Sequence, residues 1–151
     1  MFQVYNEKVY DLLNFSVSGG DAQSRLQNQE PLKVSEHAEG FQISNLFSFP
    51  CPQDKDALDL LEKGVKNRIV ASHSLNHTSS RSHVIFQIQV DKNTLEGNLQ
   101  SSRLLLVDLA GSERISYTSQ PSKTMQQETI GINKSLMTLR KVISALAHPV
   151  N

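Results

Sequence analysis

Leu104-Leu105-Leu106-Val107-Asp108-Leu109-Ala110-Gly111-Ser112-Glu113-Arg114 is the stretch that decides the fold of this 151-residue chain. Leu104 to Val107 form a continuous apolar run, the pattern of a strand covered on both sides by helices, and the run ends on a carboxylate. Three residues beyond Asp108 stands Gly111, where any side chain would keep the backbone from approaching a ligand. Phosphate-sensing folds use this layout to present one carboxylate to Mg²⁺ and a bare N–H to a γ-phosphate. Upstream lies Asn76-His77-Thr78-Ser79-Ser80-Arg81-Ser82-His83. Its clustered hydroxyls can ligand a metal or its waters, and Arg81 can pair with Glu113 or stabilise transferring charge.

Working outward, Phe2 to Asn6 predict a strand and Glu7 to Leu13 a short helix. Residues 16–30 are polar and rich in turn formers, which predicts a surface loop. Lys33 to Glu36 and Phe41 to Ser44, flanking Gly40, predict a small hairpin. Ala57, Leu58, Leu61 and Val65 predict one apolar face of a helix over 54–71, with Gly64 as a weak point. Val84, Phe86, Ile88 and Val90 alternate with Gln87, Gln89 and Asp91, the period of a strand with one wetter face. Asn93 to Asn98, with Gly97, predict a hairpin-like connection to the Leu104–Val107 strand. Ile132, Leu136, Leu139, Ile143 and Leu146 form the inner stripe of a helix over 127–147, ended by Pro149. Its opposite face carries Lys134, Met137 and Lys141, with Arg140 beside them. Alternating elements of this kind predict an α/β architecture with a mixed sheet.

Net charge is zero, but residues 1–100 hold nine Lys+Arg against twelve Asp+Glu and residues 101–151 hold six against three. The second part would meet an acidic surface more readily. The single cysteine, Cys51, lies between two prolines and fits a turn in a reducing compartment. No apolar run reaches the roughly eighteen residues of a membrane span, and no secretory signal pattern opens the chain. Neither a membrane nor a nucleic-acid partner is expected. His73 and His77, four apart, lack further ligands at useful spacing and are read as loop histidines rather than a metal site.

The NxxSSRSH and VDLAGSER strings, in that order, resemble the kinesin motor domain. Residues 132–139, Ile-Asn-Lys-Ser-Leu-Met-Thr-Leu, look like the start of that family's relay helix. Val4-Tyr5-Asn6-Glu7 through Tyr10-Asp11-Leu12-Leu13 look like its earlier strand-and-helix junction. The resemblance covers essentially all 151 residues. It implies a partial motor domain, 1–151, with a mainly β-sheet core flanked by helices. Switch I would lie at 72–83, the switch II loop at 108–124 and the relay helix at 127–147. A phosphate-cradling G-x-x-x-x-G-K-[ST] loop is not found among the seven glycines. The chain is therefore expected to be the middle of a motor, truncated at both ends, that alone neither binds nor hydrolyses Mg-ATP and leaves Leu104–Val107 and the inner stripe of the relay helix uncovered.

By the same resemblance, the cofactors are ATP and Mg²⁺ and the partner is the microtubule, in the cytoplasm and cytoskeleton. Ser80 would contact Mg²⁺ or its water, with Ser79 placing the attacking water. Asp108 would hold a metal-bound water, Gly111 would sense the γ-phosphate, and Arg81 and Glu113 would close as a salt bridge. Asn76 would join the nucleotide-binding set, and Lys123, Asn133, Lys134, Arg140 and Lys141 would meet the microtubule. Plainer roles exist: the serines as turn hydroxyls, Asp108 as a turn cap, the α-helical lysines as a solvated face. A non-hydrolysing microtubule-binding or regulatory protein that has lost its phosphate loop is the alternative function. Residues 116–123 depart from the family's glycine-containing loop, and Ile130 stands where a lysine is frequent.

Overall fold

The computed structural model describes residues 1–14, 29–38, 40–74, 82–95, 97–111 and 123–148, with the backbone alone for 69–74 and 123–129. The expected loop over 16–30 falls outside them except for Gln29 and Glu30, as does Pro149. Six strands and two helices follow in order: β1 (Phe2–Tyr5), β2 (Lys8–Asp11), β3 (Val34–His37), β4 (Gly40–Ile43), α1 (Asp54–Ser74), β5 (His83–Asn93), β6 (Leu99–Asp108) and α2 (Lys123–Ala147). The main sheet has the order β2-β1-β5-β6, and β3 and β4 form a separate hairpin. The strand pairs described are all antiparallel.

The short helix expected over Glu7 to Leu13 is instead strand β2, folded back on β1 with Tyr5 opposite Lys8. Asn6 and Glu7 have φ of 49° and 60°, the left-handed pair that a two-residue hairpin turn demands. A helix cannot pass through such a turn. The segment after it also has the period of a strand, since Val9 and Asp11 are buried while Lys8 is exposed. The hairpins expected at Gly40 and at 93–98 are present, the second closed by Thr94 N–H donating to the Asn98 carbonyl at 2.8 Å.

Side chains alternate across β5, and the two helices use opposite faces of it. Val84, Phe86 and Ile88 form a core with Met1, Leu12, Leu13 and Phe49, to which α1 contributes Leu60 and Leu61. His83 points the other way and reaches Ser135 of α2. On α1 the inner face runs through Ala57, Leu60, Leu61, Gly64, Asn67 and Arg68, while Leu58 and Val65, expected inside, are exposed. Gly64 is buried where the Met1 side chain crosses the helix, and a Cβ there would collide with the Met1 sulfur. A larger residue there would require the flexible Met1 side chain to move aside.

Leu104–Val107, whose full covering is expected from a segment outside these 151 residues, are not flanked by helices on both sides among the described residues. These four side chains are 50–53% exposed. Among the described residues β6 is one of the two edge strands of this sheet, and α1 packs one strand inward, over β5. The inner stripe of α2 is likewise covered only at its start: Ile132 and Leu136 are half-buried, whereas Ile143 and Leu146 are 57% and 78% exposed. Among the described side chains, the helix meets the sheet around Gly131–Ser135, and its later turns run past it.

Asp11 fastens the β2 end to the rest. It is 1% exposed, its Oδ1 accepts the Leu13 N–H at 2.8 Å and its Oδ2 accepts the Phe47 N–H at 2.8 Å. The Asn67 amide donates to the Leu12 carbonyl at 2.6 Å, which ties α1 to the same turn.

Candidate functional site

The register of β5 and β6 decides where the two informative stretches meet. Val84 lies opposite Asp108, so the start of β5, which follows the serine-arginine cluster, and the end of β6, which delivers the carboxylate, share one end of the sheet. Antiparallel pairing of neighbouring strands makes this automatic, because the first residue of one strand faces the last of the other. Strand β6 ends at Asp108, and Ala110, 5% exposed, and half-buried Gly111 continue along the same end of the sheet.

Arg68 of α1 closes this end from one side. Its Nη1 donates to Asp108 Oδ2 and its Nη2 donates to the Ser82 carbonyl at 3.2 Å. Its side chain is 16% exposed while that of Asp108 is 66% exposed. A guanidinium suits this task because its rigid fork can engage an acid and a carbonyl at once. Asp108 is thereby held in place yet still open to solvent. Ser82 is 1% exposed, and its Oγ has no hydrogen-bond partner among the described residues.

His83 closes it from the other side. It is 9% exposed, and its Nδ1 accepts the Ala110 N–H at 3.0 Å. Its Nε2 lies 2.7 Å from Ser135 Oγ, and that hydroxyl donates to the Ile132 carbonyl at 2.8 Å. A backbone N–H can only donate, so Nδ1 must be the lone-pair nitrogen and the proton sits on Nε2. Burial pushes the His83 pKa down from its ordinary value, outweighing the opposite pull of Asp108.

The expected site residues divide accordingly. Asp108 and Gly111 stand together at the sheet end. Asn76, Ser79, Ser80, Arg81 and Glu113 lie outside the described residues. Lys123 opens α2, and its side chain is likewise outside them. Asn133, Lys134, Arg140 and Lys141 are exposed on α2, but Lys134 Nζ is 2.6 Å from Glu7 Oε1 and so is engaged with the β1–β2 turn.

Arg68, His83 and Ser135 were missed by sequence reasoning. Arg68 had a signal: it falls seven residues after Leu61, a lone cation on the buried face of a helix, where a charge is kept only with a partner. His83 had a weaker one, as the polar residue opening an apolar strand. Ser135 had none, since its partner lies 52 positions away in sequence.

No group of three or more His, Cys, Asp or Glu side chains able to hold a metal occurs among the described residues. Mg²⁺ is commonly held through one or two carboxylates, waters and the substrate's own phosphates. Asp108, restrained by Arg68 yet open to solvent, is an oxygen group of the right hardness for such an ion and its waters.

The model of the family described as Kinesin motor domain matches residues 1–151. The kinesin-like protein KIF9 of Mus musculus is 37% identical over 147 residues, covering 95% of this chain and 18% of that protein. Kinesin-related protein 4 of Dictyostelium discoideum is 39% identical over 147 residues, covering 96% of this chain and 7% of its own length. Among solved structures, a fast kinesin studied for its ATPase mechanism and its interactions with microtubules superposes with a TM-score of 0.75 at 35% identity. That match covers 96% of this chain and 38% of the other. The chain thus spans less than a fifth of the length of these two curated relatives.

Proposed function

The chain belongs to the kinesin motor domain family, and from that premise we propose that the protein it represents hydrolyses ATP and couples the hydrolysis to movement along microtubules in the cytoplasm. The family is nucleotide-binding, and the observation that carries the proposal is that β5, which follows directly on the first string, begins opposite the Asp108 that the second string delivers, Val84 facing Asp108. Phosphoryl transfer to water needs little covalent chemistry from a protein and depends on positioning and on neutralising charge. Asp108 would hold a water of Mg²⁺, with Ser80 as the second oxygen. Gly111 would offer its N–H to the terminal phosphate. Ser79 and Asn76 would line the nucleotide side, and Arg81 and Glu113 would close over it. Bound Mg²⁺ would supply charge neutralisation of the phosphates.

The test is phosphate release by the full-length protein with and without microtubules. Stimulation by microtubules is the expected result, and an unstimulated, ATP-independent protein would remove the proposal.

Arg68 gives a sharper expectation. Arg68→Ala frees the Asp108 carboxylate and the Ser82 carbonyl, so stimulated turnover should fall about tenfold, the equivalent of one hydrogen bond to a charged group. Unchanged steady-state kinetics would show that Asp108 needs no such clamp.

For the filament, Lys123, Asn133, Lys134, Arg140 and Lys141 are the proposed contacts. Reversing charge at Lys134 and Lys141 together should weaken microtubule co-sedimentation by about tenfold at low ionic strength and less at high salt, where screening is stronger. Lys134→Glu also sets like charges against Glu7, so Lys141→Glu alone separates filament contact from that local repulsion. An affinity unchanged in Lys141→Glu would return this face to plain solvation.

A further inference from the structure

We propose that His83 is a positioning residue that ties the Ala110 backbone, next to Gly111, to helix α2 through Ser135, so that the phosphate-facing loop and the filament-facing helix move as one. The proposal deepens the motor function inferred above and rests on it.

Three elements meet at this one imidazole. It belongs to β5, it accepts the Ala110 N–H just beyond β6 at 3.0 Å, and it approaches Ser135 on α2 at 2.7 Å. Each link has one permitted direction. Ala110 N–H donates to Nδ1, Nε2–H donates to Ser135 Oγ, and the Ser135 hydroxyl donates to the Ile132 carbonyl. With every donor used, the chain cannot reverse or slide without leaving a buried group unpaired. A shift of Ala110 therefore pulls on the imidazole, and the imidazole pulls on α2.

The other described contacts of α2 with the sheet lie at the β1–β2 turn. Glu7 and Lys134 form an exposed ion pair at 2.6 Å, and Gly131 sits close against Asn6. These hold the helix down, but neither leads to the nucleotide end of the sheet. Exposed pairs are also weakened by salt. His83 provides the one described connection from α2 to the Asp108–Gly111 segment. The burial that depresses its pKa keeps it neutral, which the Ala110 bond requires, because an imidazolium would set an N–H against an N–H.

Ser135 is also a costly choice for mid-helix. Alanine is the better helix former, and a serine bonding back to its own helix is at best neutral. Ser135→Ala therefore severs the link while leaving α2 able to form, and Ser135→Thr retains the hydroxyl.

The experiment compares wild-type, Ser135→Ala and Ser135→Thr in the full-length protein. Basal and microtubule-stimulated phosphate release are measured, together with microtubule affinity in ADP and in a non-hydrolysable ATP analogue. For Ser135→Ala we expect basal turnover within twofold of wild-type and stimulated turnover down at least tenfold. The ratio of the two microtubule affinities should fall toward one, and Ser135→Thr should restore both. Ser135→Ala with wild-type stimulation and a wild-type affinity ratio overturns the proposal. So does a parallel loss of basal rate, stimulated rate and melting temperature, which marks a structural contact only. A wild-type protein without microtubule stimulation instead overturns the motor function, and is distinguished because it precedes any variant.

Discussion

Arg81→Ala or Glu113→Ala is expected to remove microtubule-stimulated turnover, by at least about a hundredfold, while nucleotide affinity stays near its starting value. An arginine that neutralises charge only as the transferring phosphoryl develops it contributes to the transition state and little to the ground state. Loss of kcat with an unchanged nucleotide Kd is the signature of such a group. Neither residue is among those described, but their anchors are. Arg81 lies two residues before His83, and Glu113 two residues after Gly111. The described segments that lead to them already touch at the sheet end, through His83 and Ala110. Pre-steady-state and steady-state phosphate release, with a fluorescent nucleotide for affinity, decides the matter. Near-normal stimulated turnover in either variant would show that the two residues do not act as a pair in catalysis.

Asp11→Ala should destabilise the motor domain by about 3 kcal/mol, since two hydrogen bonds to a buried carboxylate are lost and two N–H groups are left behind. The Leu13 N–H and the Phe47 N–H both end on Asp11, at 2.8 Å each. Its carbonyl also receives the Gln29 amide at 3.1 Å. The side chain thus holds the turn after β2 and the segment leading to α1, while the Gln29 contact, made to the backbone, survives the substitution. Asp11→Asn retains one acceptor and presents an amide donor to one of the two N–H groups, so it should fall between wild-type and alanine. Urea denaturation followed by circular dichroism measures the shift, and an alanine variant with an unchanged midpoint would show that water replaces the carboxylate at no cost.

Local signals explain where the sequence was legible. The helix over 54–71 and the relay helix over 127–147 were found because a buried face repeats every three to four residues, and each proved longer, at Asp54–Ser74 and Lys123–Ala147. The β5–β6 hairpin was found because Gly97, with φ of 80°, interrupts two runs of strand-forming residues. The β1–β2 hairpin was mistaken for a strand and a helix because its turn uses Asn6 and Glu7, and a glutamate is not an expected residue for positive φ. The wrong face of α1 was chosen because Leu58 and Val65 are apolar, although both lie one position from the true line through Gly64 and Arg68.

Covalent order alone determined the family, the carboxylate at the end of β6 and the glycine beyond it, because those depend on which residue types follow one another. Tertiary structure decided what those residues touch. Only the antiparallel register places His83 beside Ala110, and only the packing of helices on both faces of β5 brings Arg68 to Asp108 and Ser135 to His83. These contacts join residues 27 to 52 positions apart. No local propensity or periodicity reports on partners that distant, because they are selected by how whole elements pack rather than by the neighbours of any one residue.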